Sequence, residues 1–194
     1  MTEQSSISVL IYLLLLIVLL SVASVFIFRQ VLKNRRSDST LSRLQNKLKQ
    51  AKGTALEYYE LGSLLLDKKL YSQGVSQLKK SLKVAEEELQ SLRDEASDEA
   101  EIAEQNANIA LIYNALGFAY FVQEQYDLAI RQYKEALKLT PGYVVALNNL
   151  ANTYEKKQLA AQALEAYETA LKYEPDNSTA KRRAESLRKR FVAS

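Results

Sequence analysis

The chain has no cysteine, no histidine and no tryptophan among its 194 residues. Those absences remove disulfides, thiolate nucleophiles, imidazole bases and every zinc site built on sulfur or imidazole. Glycine occurs 5 times and proline twice, too rarely for a sandwich or barrel of many short strands joined by tight turns. Leu and Ala lead the composition instead, and Glu, Lys and Gln are plentiful. They lose little freedom on entering a helix, so an all-α fold is expected. The length suits one ordinary domain with an appendage and excludes two catalytic domains of usual size. The net charge of +3 averages over blocks of opposite sign.

The first block is apolar. No residue between Gln4 and Phe28 is charged, and sixteen of the twenty from Val9 to Phe28 are Val, Leu, Ile or Phe. At about 1.5 Å per residue, twenty helical residues reach roughly 30 Å, the thickness of bilayer hydrocarbon. Residues 1–28 therefore read as a short tail and a transmembrane anchor. The alternative is a cleaved secretory signal with Ser21-Val22-Ala23 at the cut. Against it, Glu3 is the sole charge before the run and the apolar character continues through Phe28. Arg29, Lys33, Arg35 and Arg36 follow at once, and the positive-inside rule places that side in the cytoplasm or its organellar equivalent.

Residues 29–54 remain basic, with Arg43, Lys47, Lys49 and Lys52 against Asp38. They read as a juxtamembrane linker, able to meet anionic lipid headgroups, that leads into a short amphipathic helix. Leu41, Leu44, Leu48 and Ala51 recur at helical spacing behind the candidate caps Ser39 and Thr40, which sets that helix at 40–52.

Beyond it the chain repeats. Tyr113, Leu116, Gly117, Tyr120, Ala129, Tyr133, Ala136 and Pro141 recur 34 residues later as Leu147, Leu150, Ala151, Tyr154, Ala163, Tyr167, Ala170 and Pro175. An earlier copy holds Tyr58, Leu61, Gly62, Leu65, Gly74, Leu78 and Ser81, with Glu86 in place of the closing proline. Small residues fall where paired helices must approach closely, and the aromatics fill the gaps beside them. Three units are expected, over 55–88, 110–143 and 144–177, followed by a basic capping helix at 178–194 in which Ala180, Ala184, Leu187 and Phe191 share one face. Its other face carries Lys181, Arg182, Arg183, Arg188, Lys189 and Arg190 against Glu185, and reads as a solvated surface, with lipid headgroups or an acidic partner as the alternative readings. Asp176, Asn177 and Ser178 are its candidate caps.

Gly62 and Gly117 are 55 apart, one period plus 21 residues, so an insertion separates the first two units at about 89–109. Leu78, Leu82, Ala85, Leu89, Leu92 and Ala96 form a seam with alternating spacings of four and three. This predicts that the second helix of unit one overruns its normal end, and that a return helix capped by Ser97 presents Ala100, Ala103, Ala107 and Ala110 to the seam. Nine acids crowd this stretch: Glu86, Glu87, Glu88, Asp94, Glu95, Asp98, Glu99, Glu101 and Glu104, opposed by Arg93 alone. They lack the Gly turn and oxygen spacing of a calcium loop. They read either as a solvated face or as an acidic prong for a basic partner.

The periodic residues resemble the tetratricopeptide pattern W-x-x-L-G-x-x-Y, A-x-x-x-F, P, with Tyr or Leu in place of Trp. That resemblance implies a solenoid binding proteins along the concave surface of its first helices. The inward residues would be Tyr59, Ser63 and Leu66, then Leu111, Asn114, Phe118, Phe121 and Val122, then Val145, Asn148, Asn149 and Asn152. Asn side chains can hold an extended backbone, and the Phe and Val residues would accept apolar side chains. In the alternative reading the chain's own 40–52 segment fills the groove. Val145 and Asn149 stand where chaperone-tail clamps of this type carry Lys or Arg, which speaks against that subclass.

The whole pattern, with EYYELGSLLLDKKLYSQ at 57–73, YNALGFAYFVQEQYDLAIRQYKEALKL at 113–139, ALNNLANTYEKKQLAAQALEAYE at 146–168 and STAKRRAESLRKR at 178–190, is similar to the membrane-anchored tetratricopeptide proteins that assist photosystem I assembly in cyanobacteria and plastids. The resemblance implies a single-pass thylakoid protein whose repeats face the stroma or cytoplasm and hold photosystem I subunits or assembly intermediates. It implies no enzyme activity, no cofactor or metal, no nucleic acid and no small-molecule substrate. Without a transit peptide before the span, the expectation is a plastid-encoded or cyanobacterial chain. The alternative is a tethered receptor or adaptor for targeting peptides, chaperones or another membrane complex.

Overall fold

The computed structural model describes the backbone of residues 2–95 and 98–193, and side chains over 12–31, 35, 37–95 and 98–191. Eight α-helices and no strand occur among the described residues, so the protein is all-α. The chain divides into two units, residues 1–49 and 50–194.

The first unit consists almost entirely of α1, Thr2–Gln50. Within it Tyr12–Val31 is long and apolar enough to cross a membrane, and none of these side chains is buried. Ser21, a rare polar group in this run, donates its hydroxyl to the carbonyl of Ile17 at 2.8 Å, so the helix satisfies it internally. The expected break between the apolar run and a separate helix at 40–52 does not occur. Ser39 and Thr40 sit inside α1 rather than capping a new helix. No Gly or Pro stands between Thr2 and Gln50, and a Ser-Thr pair alone does not remove the helical hydrogen bonds.

The second unit is a run of antiparallel helix pairs. It comprises α2 (Ala55–Asp67), α3 (Tyr71–Asp94), α4 (Glu99–Val122), α5 (Tyr126–Leu139), α6 (Val144–Lys156), α7 (Ala160–Tyr173) and α8 (Ser178–Ala193). Thr54 opens α2 with a capping box, its hydroxyl accepting from the Glu57 N–H while the Glu57 carboxylate accepts from the Thr54 N–H, both at 3.2 Å. Each pair turns in the same way. After α2 the Leu70 N–H reaches the Leu65 carbonyl at 2.8 Å, after α4 Gln125 reaches Tyr120 at 2.9 Å, and after α6 Leu159 reaches Tyr154 at 2.9 Å. This is the Schellman closure, and it puts Lys69, Glu124 and Gln158 at φ of about 60°. None of the three is Gly, so each turn carries backbone strain. The connections between pairs differ: Thr140 and Glu174, each followed by proline, are extended at φ −136°, as the proline ring requires of its predecessor.

Small residues set how closely paired helices approach. A Cβ on Gly117 would lie 2.5 Å from the Tyr133 ring, and one on Gly74 would lie 2.6 Å from Leu66 Cδ2. Ala129, Ala163 and Ala170 are fully buried and share a core with Tyr133 and Tyr167, while Ala136, also fully buried, packs with Ala110 and Ala146. One core runs through α5 to α8, closed by Ala180, Ala184 and Leu187 of the last helix. Another joins α2, α3 and α4 through Leu66, Leu78, Ala85, Leu89, Ile109 and Leu116.

Helices α3 and α4 have 24 residues each, against 14 for α5 and 13 for α6. Ten residues of α3 (85–94) and eleven of α4 (99–109) therefore overrun the repeat body, and the two helices pack antiparallel. The seam, however, meets Ile102, Ile109 and Ile112 rather than the expected alanine stripe, of which Ala100, Ala103 and Ala107 are exposed and Ala110 packs with Ala136 and Ala146. Ala96 and Ser97 lie outside the described residues. The cap of α4 is Asp98, whose carboxylate accepts from the Ala100 N–H at 3.3 Å. On α8 the cap among the three candidates is Asn177, whose amide oxygen accepts from the Ala180 N–H at 2.9 Å.

Candidate protein-interaction groove

The first helices of the pairs, α2, α4 and α6, carry equivalent residues at separations of 55 and 34. Three such rows face outward. Leu56, Leu111 and Val145 form the first and are 71%, 41% and 52% exposed. Tyr59, Asn114 and Asn148 form the second, all half-buried. Ser63, Phe118 and Asn152 form the third, in which Phe118 is 44% exposed and the others are half-buried. The result is a surface of apolar side chains alternating with amide and hydroxyl groups.

Two residues expected on this surface belong elsewhere. Leu66 is buried, its side chain against Gly74, and Phe121 is half-buried against the core with its ring 5.8 Å from that of Tyr126. Their equivalent in α6 is Glu155, which also turns inward. The last turn of each first helix must meet the start of the second across a three-residue turn, and that geometry points this position at the partner helix. Val122 is half-buried in the same last turn. Sequence reasoning missed Leu56, although its separation of 55 from Leu111 identifies it once the insertion is subtracted.

The polar groups are already organised. Asn149 donates to the Asn114 amide oxygen at 2.9 Å, linking α6 to α4. Asn114 also hydrogen-bonds the Tyr143 hydroxyl, and burial, with Tyr59 close by, raises the Tyr143 pKa. Asn148 donates to Asn177 at 3.2 Å, while its own amide oxygen is buried with no hydrogen-bond partner. These groups offer hydrogen-bond donors and acceptors along the surface. No cluster of three or more metal-ligating side chains is present among the described residues.

The acidic insertion is partly committed to its own fold. Glu86 accepts from the Tyr113 hydroxyl at 3.0 Å, Glu87 pairs with Lys52 at 3.2 Å, Glu88 accepts from Gln105 at 3.1 Å, and Asp94 accepts from Gln90 at 2.8 Å. Glu95, Glu99, Glu101 and Glu104 are exposed toward the tip. The basic face of α8 is likewise not wholly solvated. Arg183 forms a two-pronged pair with Glu155 (2.6 and 2.9 Å), which also accepts from the Tyr167 hydroxyl at 2.9 Å, and Arg188 pairs with Glu168 at 2.7 Å. Lys181, Arg182, Lys189 and Arg190 remain exposed.

Comparison with known proteins agrees with this architecture. A TPR repeat model matches residues 119–158, and a tetratricopeptide repeat model matches 144–177. Among solved structures, the chain is similar to MamA, with a TM-score of 0.62 at 20% identity over 80% of this chain and 78% of that one. It is also similar to the first TPR of Spaghetti (RPAP3) bound to an HSP90 peptide, with a TM-score of 0.56 at 18% identity over 72% of this chain and 94% of that one. At these identities the fold is what is shared. In sequence, the chain is 35% identical over 179 residues to the chloroplastic tetratricopeptide repeat domain-containing protein PYG7 of Arabidopsis thaliana. That match covers 92% of this chain but only 54% of the relative, so the chain spans about half of that protein's length. It is 37% identical to the uncharacterized protein ycf37 of Cyanophora paradoxa, covering 81% of this chain and 82% of the relative. The ycf37 protein of Guillardia theta is 33% identical, with 87% and 85% covered. On these matches and on the fold, the chain belongs to the ycf37 family of tetratricopeptide repeat proteins.

Proposed function

We propose that this tetratricopeptide scaffold is tethered to the thylakoid membrane by α1 and holds photosystem I subunits or assembly intermediates. The observation that carries the holding role is the three-row surface on α2, α4 and α6, where exposed Leu56, Leu111, Phe118 and Val145 stand among amides suited to an extended partner backbone. The tether rests on the exposed apolar stretch Tyr12–Val31, and the basic residues that follow it favour the stromal or cytoplasmic side for the repeats. Confinement to a membrane surface raises the effective concentration of the scaffold beside membrane-embedded clients without any added contact. The photosystem assignment follows from the family resemblance, and the chloroplastic relative in Arabidopsis supports the compartment.

Deleting the gene in a photosynthetic host and measuring photosystem I against photosystem II is the test. Selective loss of photosystem I, restored by the full chain but not by a chain carrying Phe118→Asp and Val145→Asp, is expected. Equal accumulation of both photosystems would remove the assignment.

A further inference from the structure

The extended parts of α3 and α4 add a polar side to the groove at its Leu56–Leu111 end. Between them and the first turns of α2 lies a pocket of about 270 Å³. Ala55, Leu56 and Tyr59 of α2 line it together with Ala85 of α3 and Leu111 and Ile112 of α4. Glu88, Gln105 and Asn108 stand at its polar side, and all three lie in the stretches that overrun the repeat body. An ordinary tetratricopeptide pair, without these overruns, has no such side.

Three features make the pocket preformed. Ser81 donates its hydroxyl to the Ala55 carbonyl at 2.7 Å and so fixes the start of α2 against α3. The Thr54–Glu57 capping box holds the same turn. Gln105 donates to both the Ala85 carbonyl (3.0 Å) and the Glu88 carboxylate (3.1 Å), which ties α4 to α3 and orients that carboxylate. Leu56 nevertheless stays 71% exposed and Leu111 41% exposed at the mouth, an apolar surface left in water beside a strongly acidic helical hairpin.

We infer that this pocket docks a basic protein segment, inserting a bulky aliphatic or aromatic side chain between Leu56 and Leu111 while an adjacent Lys or Arg meets Glu88. The occupant follows from the charge: of the nine acids on the overrunning helices only Glu87 is ion-paired among the described residues, with Lys52 and Lys83, and Arg93 is the one cation within the stretch, so a segment with acidic flanks is repelled and one with basic flanks is drawn in. A burial site for one or two side chains supplies the anchor, and the acids supply sign selectivity. The inference rests on the holding role proposed above and names, for the end of that groove bordered by the insertion, the class of segment held.

The experiment uses the full chain in phosphatidylcholine nanodiscs, with empty nanodiscs as the blank. The probe is a fluorescent Gly-Ser peptide carrying a central Lys-Leu-Leu-Arg. It should bind saturably, more tightly as salt is lowered, while versions with Glu for the basic pair or Ser for the Leu pair bind at least tenfold more weakly. Leu56→Asp should weaken binding at least tenfold, and Glu88→Gln several-fold with a flatter salt dependence. Leu56 and Glu88 are exposed, so thermal melts of both variants should match the parent. Gln162→Ala, exposed on α7 and away from both the groove and the pocket, should leave binding unchanged. Equal binding of the acidic peptide, indifference to Leu56→Asp, or a concentration-dependent dimer abolished by Leu56→Asp would each overturn the inference, the last by showing that a second copy fills the pocket. None of those results bears on photosystem accumulation in the deletion strain, which tests the other reading separately.

Discussion

Individual positions in this fold carry opposite kinds of constraint. Gly117 has no room for a methyl group, since Tyr133 occupies the space a Cβ would need. Gly117→Ala gains about 1 kcal/mol of helix propensity and loses about 1–3 kcal/mol to overpacking, so net destabilisation is expected in thermal or urea unfolding. Gln158 is the reverse case. It sits at φ 61° without a glycine's freedom, and Gln158→Gly should raise stability by up to about 1 kcal/mol in the same assay. Gly117 was legible in the sequence because the repeat period marks it. The strain at Lys69, Glu124 and Gln158 was not, because no glycine or asparagine marks the left-handed turn. Only the shared separations of 55 and 34 residues, together with the observed dihedrals, reveal it.

At the scale of elements, each helix needs a neighbour to cover its apolar stripe, and α8 has that role for α7. Leu187 is 1% exposed and shares a core with Tyr167 and Ala170. Leu187→Ala should cost about 2–5 kcal/mol, read as a lowered unfolding midpoint. The Glu155–Arg183 pair adds a second attachment. Glu155 is 12% exposed, and Arg183→Ala, by stranding its carboxylate, should cost about 1–3 kcal/mol in the same measurement. The seam Leu78–Leu82–Ala85–Leu89 announced the overlong α3, whose period of 3.5 outlasts the repeat. The continuity of α1 was harder to read. Ser39 and Thr40 are good caps, but a cap ends a helix only where the backbone turns away, and no residue from Thr2 to Gln50 makes it do so.

For the molecule as a whole, alkaline pH probes the packing of the tyrosines. Burial raises the Tyr133 phenol well above its ordinary value of 10.0. Burial, then Glu86 and Glu135, push Tyr113 up to about 12, and burial with Glu155 pushes Tyr167 up to about 12 against the pull of Arg183. A raised pKa in the folded state means that the folded protein keeps protons the unfolded chain has already lost. Stability is therefore fully present below pH 10 and falls as pH rises through 10 toward 12. Melting followed by circular dichroism at stepped pH should show that decline, and Tyr113→Phe with Tyr167→Phe should flatten it.

The amino-acid pattern alone determined the helix class, the apolar stretch in α1, the 34-residue period and the insertion, because each is a matter of spacing along one chain. Tertiary structure decided which side of each helix remained available. It turned Leu66 and Phe121 inward, left Leu56 in solvent, spent Arg183 and Arg188 on Glu155 and Glu168, and opened a pocket beside Glu88. Those outcomes depend on how two helices cross and how far one overruns another. A periodicity shows that a residue lies on a face, but only the neighbouring helix determines whether that face is covered.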